Sequence, residues 1–405
     1  MRLHRNLCLA VIDGLHDIFN SGYYADKVVQ ILLKRDKRWG SRDRGFIAET
    51  IYEIVRYKRL YAEIADVKGP FSRPDLWRIL AVWVVLKGIP LPDWDYFSKV
   101  PKRRIKGRFD ELSNIRKFRE SVPDWLDELG SSELGEGTWT KELHALNKQA
   151  DVILRVNTLK TSKEKLIDIL QNEGIETSAI PGYPSALKLS KRANVFKTKA
   201  FKNGLFEVQD ASSQLVAPFL EVKPGMRVVD CCAGAGGKTL HLAALMQNKG
   251  QLIAMDIHQN KLRELKLRAR RNGVHNVSIR PIDSTKPIKK LYDKADAVLI
   301  DAPCSGLGVL KRNPDAKWKL DRNFLDRVRT IQKDILQRYS KMVKPGGKLV
   351  YASCSILPSE NQDQVNNFLN SEPGKDFIFV KEQTILSSES GYDGFYMAQL
   401  IRKSE

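Results

Sequence analysis

Strand-like and helix-like patterns alternate from about residue 207 to the end of the chain. A chain that alternates in this way favours a parallel, doubly wound sheet with helices on both faces. We therefore predict an α/β fold with a mostly parallel sheet over 207–405. The apolar stretches that predict its strands are 226–232, 251–257, 277–283, 296–304 and 347–355. The helical patterns between them lie at 239–247, 259–273 and 324–343.

Two smaller parts precede this sheet. In residues 1–145, apolar residues recur at steps of three and four, as in Leu9, Ile12 and Leu15, which predicts an all-α domain. Residues 146–206 combine short strand-like stretches with one helix that Thr161 or Ser162 caps, which predicts a small α+β module.

Two segments of the N-terminal part look irregular. Residues 101–108 contain five basic side chains, and we predict a loop that is either solvated or in contact with phosphate. The acidic, glycine-containing stretch 127–139 resembles a linker.

Charge and cysteine content limit the classes of function. The net charge of +20 favours a polyanionic partner, either nucleic acid or an anionic membrane surface. The five cysteines and six histidines show neither zinc-site nor disulfide spacing, so we expect no metal and a reducing, cytoplasmic compartment. We expect no membrane span, because no apolar run approaches the roughly 20 residues that a span needs. Nothing in the sequence demands more than a monomer.

A glycine-rich turn follows the first predicted strand of the sheet. The strand ends at Asp230, and the next residues, CCAGAGGKT, lead into a helix. Gly234, Gly236 and Gly237 allow the backbone to approach a ligand closely, as in nucleotide-binding turns. The turn is not a Walker A phosphate loop, because Lys238 and the threonine after it follow no G-x-x-x-x-G.

Acidic residues stand at the ends of three further strands. Asp256 follows the glycine turn by about twenty positions, where a carboxylate accepts hydrogen bonds from a ribose diol. Asp283 is placed to receive an adenine amino group, and Asp301 ends the next strand. Each aspartate alone could be a helix cap or a turn former. Their regular placement favours a shared crevice at the carboxyl edge of the sheet.

Two cysteines follow two successive strands of the same sheet. Cys304 stands in DAPCSG and Cys354 in YASCS. A single cysteine is usually a buried structural residue. If the two strands are neighbours, both sulfurs face the crevice, where a thiolate can act as a covalent nucleophile.

Several segments together resemble the Sun and nucleolar-protein family of RNA cytosine-C5 methyltransferases. The resemblance spans about 150–405, with departures at Gly234-Ala235, where Ala-Pro is common, and at Ser353, where threonine is usual. The helical part resembles NusB-type RNA-binding domains through DRGFIAETIYEIVRYKR, and the module at 146–206 resembles an RNA-recognition-like extension. The matching segments are RVNTLK (155–160), VQDASSQLVA (208–217), DCCAGAGGKT (230–239), AMD (254–256), DAPCSGLGVLKRNPDAKW (301–318), KPGGKLVYASCS (344–355) and DGFYMA (393–398).

The resemblance implies a Rossmann-like domain, S-adenosylmethionine as cofactor, and RNA, chiefly 16S ribosomal RNA, as substrate. It implies that Cys354 attacks carbon 6 of the cytosine, that Cys304 assists product release, and that Asp301 contacts N3. The residues implied to contact the cofactor are Cys232, Ala233, Gly234, Ala235, Gly236, Gly237, Lys238, Asp256, Asp283 and Asp301.

Other functions stay open from the sequence. The substrate could be transfer RNA, or the chain could be a non-catalytic RNA-binding ribosome assembly factor. Amino-group methylation is disfavoured, because DAPC lacks the second proline and the aromatic residue found after that strand in such enzymes. A redox pair would need Cys304 and Cys354 within disulfide reach, and the chain has no Cys-X-X-Cys.

Overall fold

The computed structural model describes residues 2–404, and the chain forms two compact units. The first unit comprises the chain up to Lys148 together with Leu310–Arg322, and the second comprises Gln149–Val309 and Asn323–Glu405. The division predicted from the sequence, at 145/146 and 206/207, stays a prediction. No helix within residues 2–404 is both long and apolar enough to cross a bilayer.

All regular structure of the first unit is helical over its described residues. Apolar side chains at helical spacing are buried, for example Val11, Leu15 and Ile18, and they pack into one core. The helices are α1 (Arg5–Phe19), α2 (Ala25–Leu32), α3 (Ser41–Arg56), α4 (Lys58–Ala65), α5 (Arg73–Leu86), α6 (Lys102–Leu112), α7 (Arg116–Arg119), α8 (Asp124–Leu134) and α9 (Glu136–Leu146).

Both segments predicted to be irregular are helical, so these two predictions are wrong. The basic stretch forms the start of α6, because Ile105 and Leu112 lie two turns apart and are both buried. The stretch predicted as a linker forms most of α8 and the start of α9. Gly130 lets the ring of Trp139 pack closely, since a Cβ there would lie 2.3 Å from the ring.

The segment Leu310–Arg322 is part of the helical unit, although in sequence it lies between the Cys304 and Cys354 loops of the second unit. The Trp318 indole donates to Val55 O at 2.7 Å, and the Arg56 guanidinium donates to Lys311 O at 3.0 Å. Lys317 is buried, and this burial is the largest cause that lowers its pKa to about 7. No pattern in the sequence marks this segment as belonging to the first unit.

The second unit contains two sheets. The smaller sheet has the order β2-β3-β1-β4 and is antiparallel throughout. The Ser162 hydroxyl caps the helix α10, one of the two caps that the sequence predicts. The elements are β1 (Ile153–Val156), α10 (Lys163–Asn172), β2 (Thr177–Ile180), β3 (Tyr183–Leu189), α11 (Lys199–Lys202) and β4 (Phe206–Val208).

The larger sheet has seven strands in the order β10-β11-β9-β8-β5-β6-β7. The strands β5 to β9 pair in parallel, and β10 and β11 add an antiparallel edge. The elements are α12 (Ala211–Phe219), β5 (Arg227–Asp230), α13 (Gly237–Leu245), β6 (Gln251–Asp256), α14 (Gln259–Asn272), β7 (Val277–Pro281), α15 (Lys286–Lys289), β8 (Ala295–Asp301), α16 (Arg322–Tyr339), β9 (Val343–Ser353), α17 (Gln362–Leu369), β10 (Phe377–Ile385), α18 (Ser387–Ser390) and β11 (Phe395–Arg402).

Alternate residues of the central strands face opposite sides of this sheet. In β8, Val298 and Ile300 belong to one buried cluster, whereas Ala297 and Leu299 belong to another. This burial on both faces explains the nearly continuous apolar strands. The predicted α/β fold with a mostly parallel, Rossmann-like sheet is confirmed.

The strand order reverses between β5 and β8. From β5 the chain continues outward through β6 and β7, and then returns to build β8 and β9 on the other side. Ligands of open α/β sheets bind in the crevice beyond the carboxyl ends of the strands at such a switch point. We therefore expect the ligand-binding site of this chain in the crevice between β5 and β8.

Candidate active site

The glycine-rich turn connects β5 to the N-terminus of α13. Gly236 has a φ of +90°, and a Cβ there would lie 2.6 Å from the Leu265 side chain on α14, so only glycine fits. Gly234 also has a positive φ, of +54°, but a Cβ there would meet nothing within 4 Å. Gly236 therefore permits close packing of the turn against α14, whereas Gly234 faces open space.

The carboxylate of Asp256, at the end of β6, braces the turn. Its two oxygens accept hydrogen bonds from the backbone amides of Gly234 and His258, both at 2.8 Å. Each oxygen keeps a second lone pair with which it can accept a hydroxyl donor. Asp283, just beyond β7, is exposed and accepts from the Ser284 hydroxyl at 3.1 Å.

Asp230 is a buried acid at the root of the turn. Oδ2 accepts from the Thr239 hydroxyl at 2.7 Å, but Oδ1 has no hydrogen-bond partner among the described residues. Burial raises the pKa of Asp230 to about 7. An unpartnered acidic oxygen beside an open glycine turn, with Asp256 at the next strand end, fits a ligand that combines a positively charged group with a ribose.

The remaining turn residues have defined places. Ala233 N donates to Met255 O at 2.9 Å, and Ala235 O accepts from the Arg268 guanidinium at 2.8 Å. Cys232 is partly exposed, and burial of its sulfur raises its pKa well above the usual value. Gly237 begins α13. Residues 232–238 thus form one continuous stretch from the end of β5 into the first turn of α13.

Lys238 and Asp301 form an ion pair within the crevice. The Lys238 ammonium lies 2.7 Å from Asp301 Oδ2 and 5.1 Å from the centre of the Phe395 ring. Burial lowers the pKa of Lys238, but the charge and hydrogen bond of Asp301 outweigh that effect and raise it overall. Lys238 is therefore positively charged at neutral pH and orients the Asp301 carboxylate.

The two cysteines meet at the ends of adjacent strands. In the parallel pair β8 and β9, Asp301 is opposite Ala352, and the following residues bring Cys304 Sγ to 3.0 Å from Cys354 Sγ. The hydrogen bond with Cys354 is the largest cause that raises the pKa of Cys304 well above its usual value, followed by burial. Cys304 is thus a protonated thiol at neutral pH as long as its hydrogen bond with Cys354 is in place.

Comparisons with known proteins show to which proteins this chain is similar. Residues 217–401 match the family model described as "16S rRNA methyltransferase RsmB/F", and residues 122–196 match one described as "Methyltr_RsmF/B-like, ferredoxin-like domain". A probable ribosomal RNA small subunit methyltransferase B of Bacillus subtilis is 34% identical over 97% of this chain and 98% of its own length. One of Synechocystis is 31% identical over 95% of this chain and 97% of its own.

The chain belongs to the RsmB/F methyltransferase family. The solved structure of the protein PH0851 is 26% identical, has a TM-score of 0.84, and covers 99% of each chain. The chain is therefore a methyltransferase with the fold of S-adenosylmethionine-dependent enzymes, and the family model spans both cysteines and the whole glycine turn.

Polar residues of two sequence motifs that precede β5 support the glycine turn in this RsmB/F-family chain. The buried Arg155 guanidinium donates to the carbonyl of Gly237 and to the side-chain amide oxygen of Gln209. The Asn157 amide donates to Asn272 O, at the end of α14, at 2.9 Å. The sequence motifs RVNTLK and VQDASSQLVA thus place their polar residues behind the glycine turn.

One buried residue behind the cysteines, Glu360, was not predicted from the sequence. It lies in a 3₁₀ turn between β9 and α17 and is fully buried. A glutamate in a polar stretch of sequence is ordinarily exposed, so nothing in the pattern predicts its burial. The only available signal was its position six residues after Cys354.

Proposed function

We propose that this RsmB/F-family chain methylates carbon 5 of a cytosine in 16S ribosomal RNA, with S-adenosylmethionine as cofactor and Cys354 as nucleophile. The observation that carries the proposal is the 3.0 Å separation of Cys304 Sγ and Cys354 Sγ beside the Lys238–Asp301 pair. Methyl transfer to carbon 5 of cytosine needs a nucleophile that attacks carbon 6 and a separate base that removes the carbon 5 proton. Two sulfurs at one point of the crevice can supply both.

The cofactor residues follow from the fit of the crevice. S-adenosylmethionine, when bound, supplies an electrophilic sulfonium methyl group. We assign its amino-acid part to the turn 232–238, its ribose to Asp256 and its adenine amino group to Asp283. At Gly234 the turn carries no side chain and faces open space, so the cofactor can approach the backbone there.

Cys354 and Asp301 act on the base first. The Cys354 thiolate forms a bond to carbon 6, and the electron pair of the 5,6 double bond moves to carbon 5 and makes it nucleophilic. Asp301 contacts N3 and favours a proton there, which draws electrons away from carbon 6. The Lys238 ammonium holds the Asp301 carboxylate in one orientation.

Cys304 acts after the methyl group has reached carbon 5. A base must then remove the carbon 5 proton, so that its electron pair restores the double bond and the Cys354 sulfur leaves. Once Cys354 is bonded to carbon, it can neither share a proton with Cys304 nor carry a negative charge. The largest cause that raises the pKa of Cys304 is then gone, and this cysteine ionises more readily at the step that needs it.

The rest of the chain is suited to an RNA substrate. The net charge of +20 supports attraction to the phosphate backbone. We assign RNA binding to the N-terminal helical part and to the small α+β module, and we place the enzyme in the cytoplasm with ribosomal RNA.

The test compares the wild type with Cys354→Ala and Cys304→Ala, using methyl-labelled S-adenosylmethionine and 16S ribosomal RNA. We expect Cys354→Ala to lose methylation by at least about 10³-fold and to form no denaturation-resistant RNA adduct, because the covalent step is gone. We expect Cys304→Ala to accumulate that adduct, because release is blocked.

Cys8→Ala is the matched control, since Cys8 is a buried cysteine of the helical unit. It should methylate RNA like the wild type. Labelling at carbon 5 by Cys354→Ala would refute the nucleophile assignment, and preferential labelling of transfer RNA would refute the assigned substrate.

A further inference from the structure

A buried carboxylate lies directly behind the two cysteines. Glu360 Oε1 accepts hydrogen bonds from the hydroxyls of Ser305, at 2.5 Å, and Ser355, at 2.6 Å. Oε2 accepts from the Ser305 amide at 2.8 Å and from the Gln332 side chain at 3.1 Å. A buried carboxylate is tolerated only when its oxygens are satisfied in this way.

Each serine that binds this carboxylate is the residue next to a cysteine. Ser305 follows Cys304 and Ser355 follows Cys354, although the two serines are 50 positions apart in the chain. The two hydroxyls also lie 3.3 Å from each other. The carboxylate therefore joins the two cysteine loops one residue away from each sulfur.

The carboxylate is itself held from two further elements. The Gln332 amide of α16 also donates to Pro303 O at 2.9 Å, on the other side of Cys304. The Tyr351 hydroxyl of β9 donates to the Glu360 carbonyl at 2.7 Å, which fixes the backbone of the turn. Because Glu360 is held from these elements, it can fix the positions of Ser305 and Ser355.

The negative charge of Glu360 also acts on Cys304. Its four donors are two hydroxyls, a backbone amide and a side-chain amide, all neutral groups. After the hydrogen bond with Cys354, burial and the charge of Cys354, the charge of Glu360 is a further cause that raises the pKa of Cys304.

We propose that Glu360 is a positioning residue that holds the loops of Cys304 and Cys354 at the sulfur separation their joint chemistry requires. The inference rests on the proposed function of the two cysteines. Among the described residues, no hydrogen bond joins Glu360 to either sulfur; it acts through Ser305 and Ser355.

The first arm of the test is kinetic and uses Glu360→Gln in the full-length enzyme. We expect kcat to fall about 10²-fold, because a small displacement of reacting groups has an effect of this size, while KM for S-adenosylmethionine stays within about twofold. Glu382→Gln is the control, since Glu382 is an exposed carboxylate that accepts from the Tyr396 hydroxyl on the sheet edge. It should leave both constants unchanged.

The second arm measures the sulfur geometry without any methyl transfer. Diamide oxidises two neighbouring thiols to a disulfide and is itself reduced to a hydrazine, taking up both protons and both electrons. In Ser305→Ala/Ser355→Ala, which keeps the Glu360 charge, we expect the Cys304–Cys354 disulfide to form about tenfold more slowly than in the wild type, because the sulfurs are no longer held together.

The outcomes separate this inference from the proposed function. Wild-type disulfide formation in the double serine variant, with unchanged kcat in Glu360→Gln, would overturn the positioning role. If Cys354→Ala still methylates RNA but the serine variant crosslinks slowly, the function is wrong and the positioning role stands. If Glu360→Gln does not fold, as judged by its melting transition, the serine variant decides.

Discussion

The two sides of the crevice are built in different ways. On the cofactor side, the turn 232–238 is one continuous stretch of chain, braced by Asp256 through backbone hydrogen bonds. On the cysteine side, the two sulfurs come from residues 50 positions apart, and side chains of three elements hold their loops. In the proposed function, a local stretch of chain binds the cofactor, whereas long-range contacts set the distances between the reacting groups.

This comparison predicts that changes on the cofactor side act on binding and stability, and that changes on the cysteine side act on turnover. Four substitutions test this division.

Asp301→Asn gives the largest effect because Asp301 stands between the two sides. We expect kcat to fall by about 10²- to 10³-fold, since the amide neither pairs with the Lys238 ammonium as strongly nor favours a proton at N3. KM for S-adenosylmethionine should change by less than about fivefold. Steady-state kinetics with both substrates varied measures the split. A large change in KM alone would place Asp301 on the cofactor side.

Gly236→Ala compared with Gly234→Ala tests the construction of the turn. The first change places a methyl group against Leu265 at a positive φ, and we expect a loss of about 3 kcal/mol in unfolding free energy. The second meets no neighbour, and we expect about 1 kcal/mol from the backbone alone but weaker cofactor binding. Denaturant unfolding and calorimetric titration measure the two effects. Equal stability losses would contradict the different roles of the two glycines.

Asp230→Asn tests the buried acid of the turn through pH. The pKa of Asp230 is about 7 in the folded protein, above the usual value of 3.8, so the folded state binds a proton that the unfolded state has lost. Stability contributed by this group therefore falls as pH rises, by about 2 kcal/mol between pH 5 and pH 7. In Asp230→Asn, the unfolding free energy should no longer show this fall between pH 5 and pH 7. Urea unfolding at several pH values measures it, and parallel curves would show that Asp230 does not titrate in this range.

Much of the cofactor side could be predicted because its signals are local. The positive-φ glycines, the acids at the strand ends and the apolar strands all act within a few residues of the chain. The sequence also predicted that Cys304 and Cys354 would share the crevice if β8 and β9 were neighbours, and these strands do pair. The edge strands β10 and β11 were not predicted, although they pair with each other across the short connection from Ile385 to Phe395. β10 is exposed over most of its length and lacks the apolar run that is typical of a buried strand.

Two predictions failed for the same physical reason. Residues 101–108 and 127–139 look polar and irregular, but they are helical because a few of their side chains are buried. Ile105 packs into the core of the helical unit, and Trp139 packs against Gly130. Propensity is a weak prior, and tertiary contacts override it.

The amino-acid sequence by itself determined the alternation of strands and helices, the glycine turn and the residue types at the strand ends, because these depend on local sterics and on hydrophobic periodicity. The tertiary structure alone decided the 3.0 Å approach of the two sulfurs, the burial of Glu360 and the inclusion of Leu310–Arg322 in the helical unit. Those features depend on side chains that meet across 50 residues or, for Trp318 and Val55, across 263. Such contacts form only when the packed core fixes the strands and helices that present them.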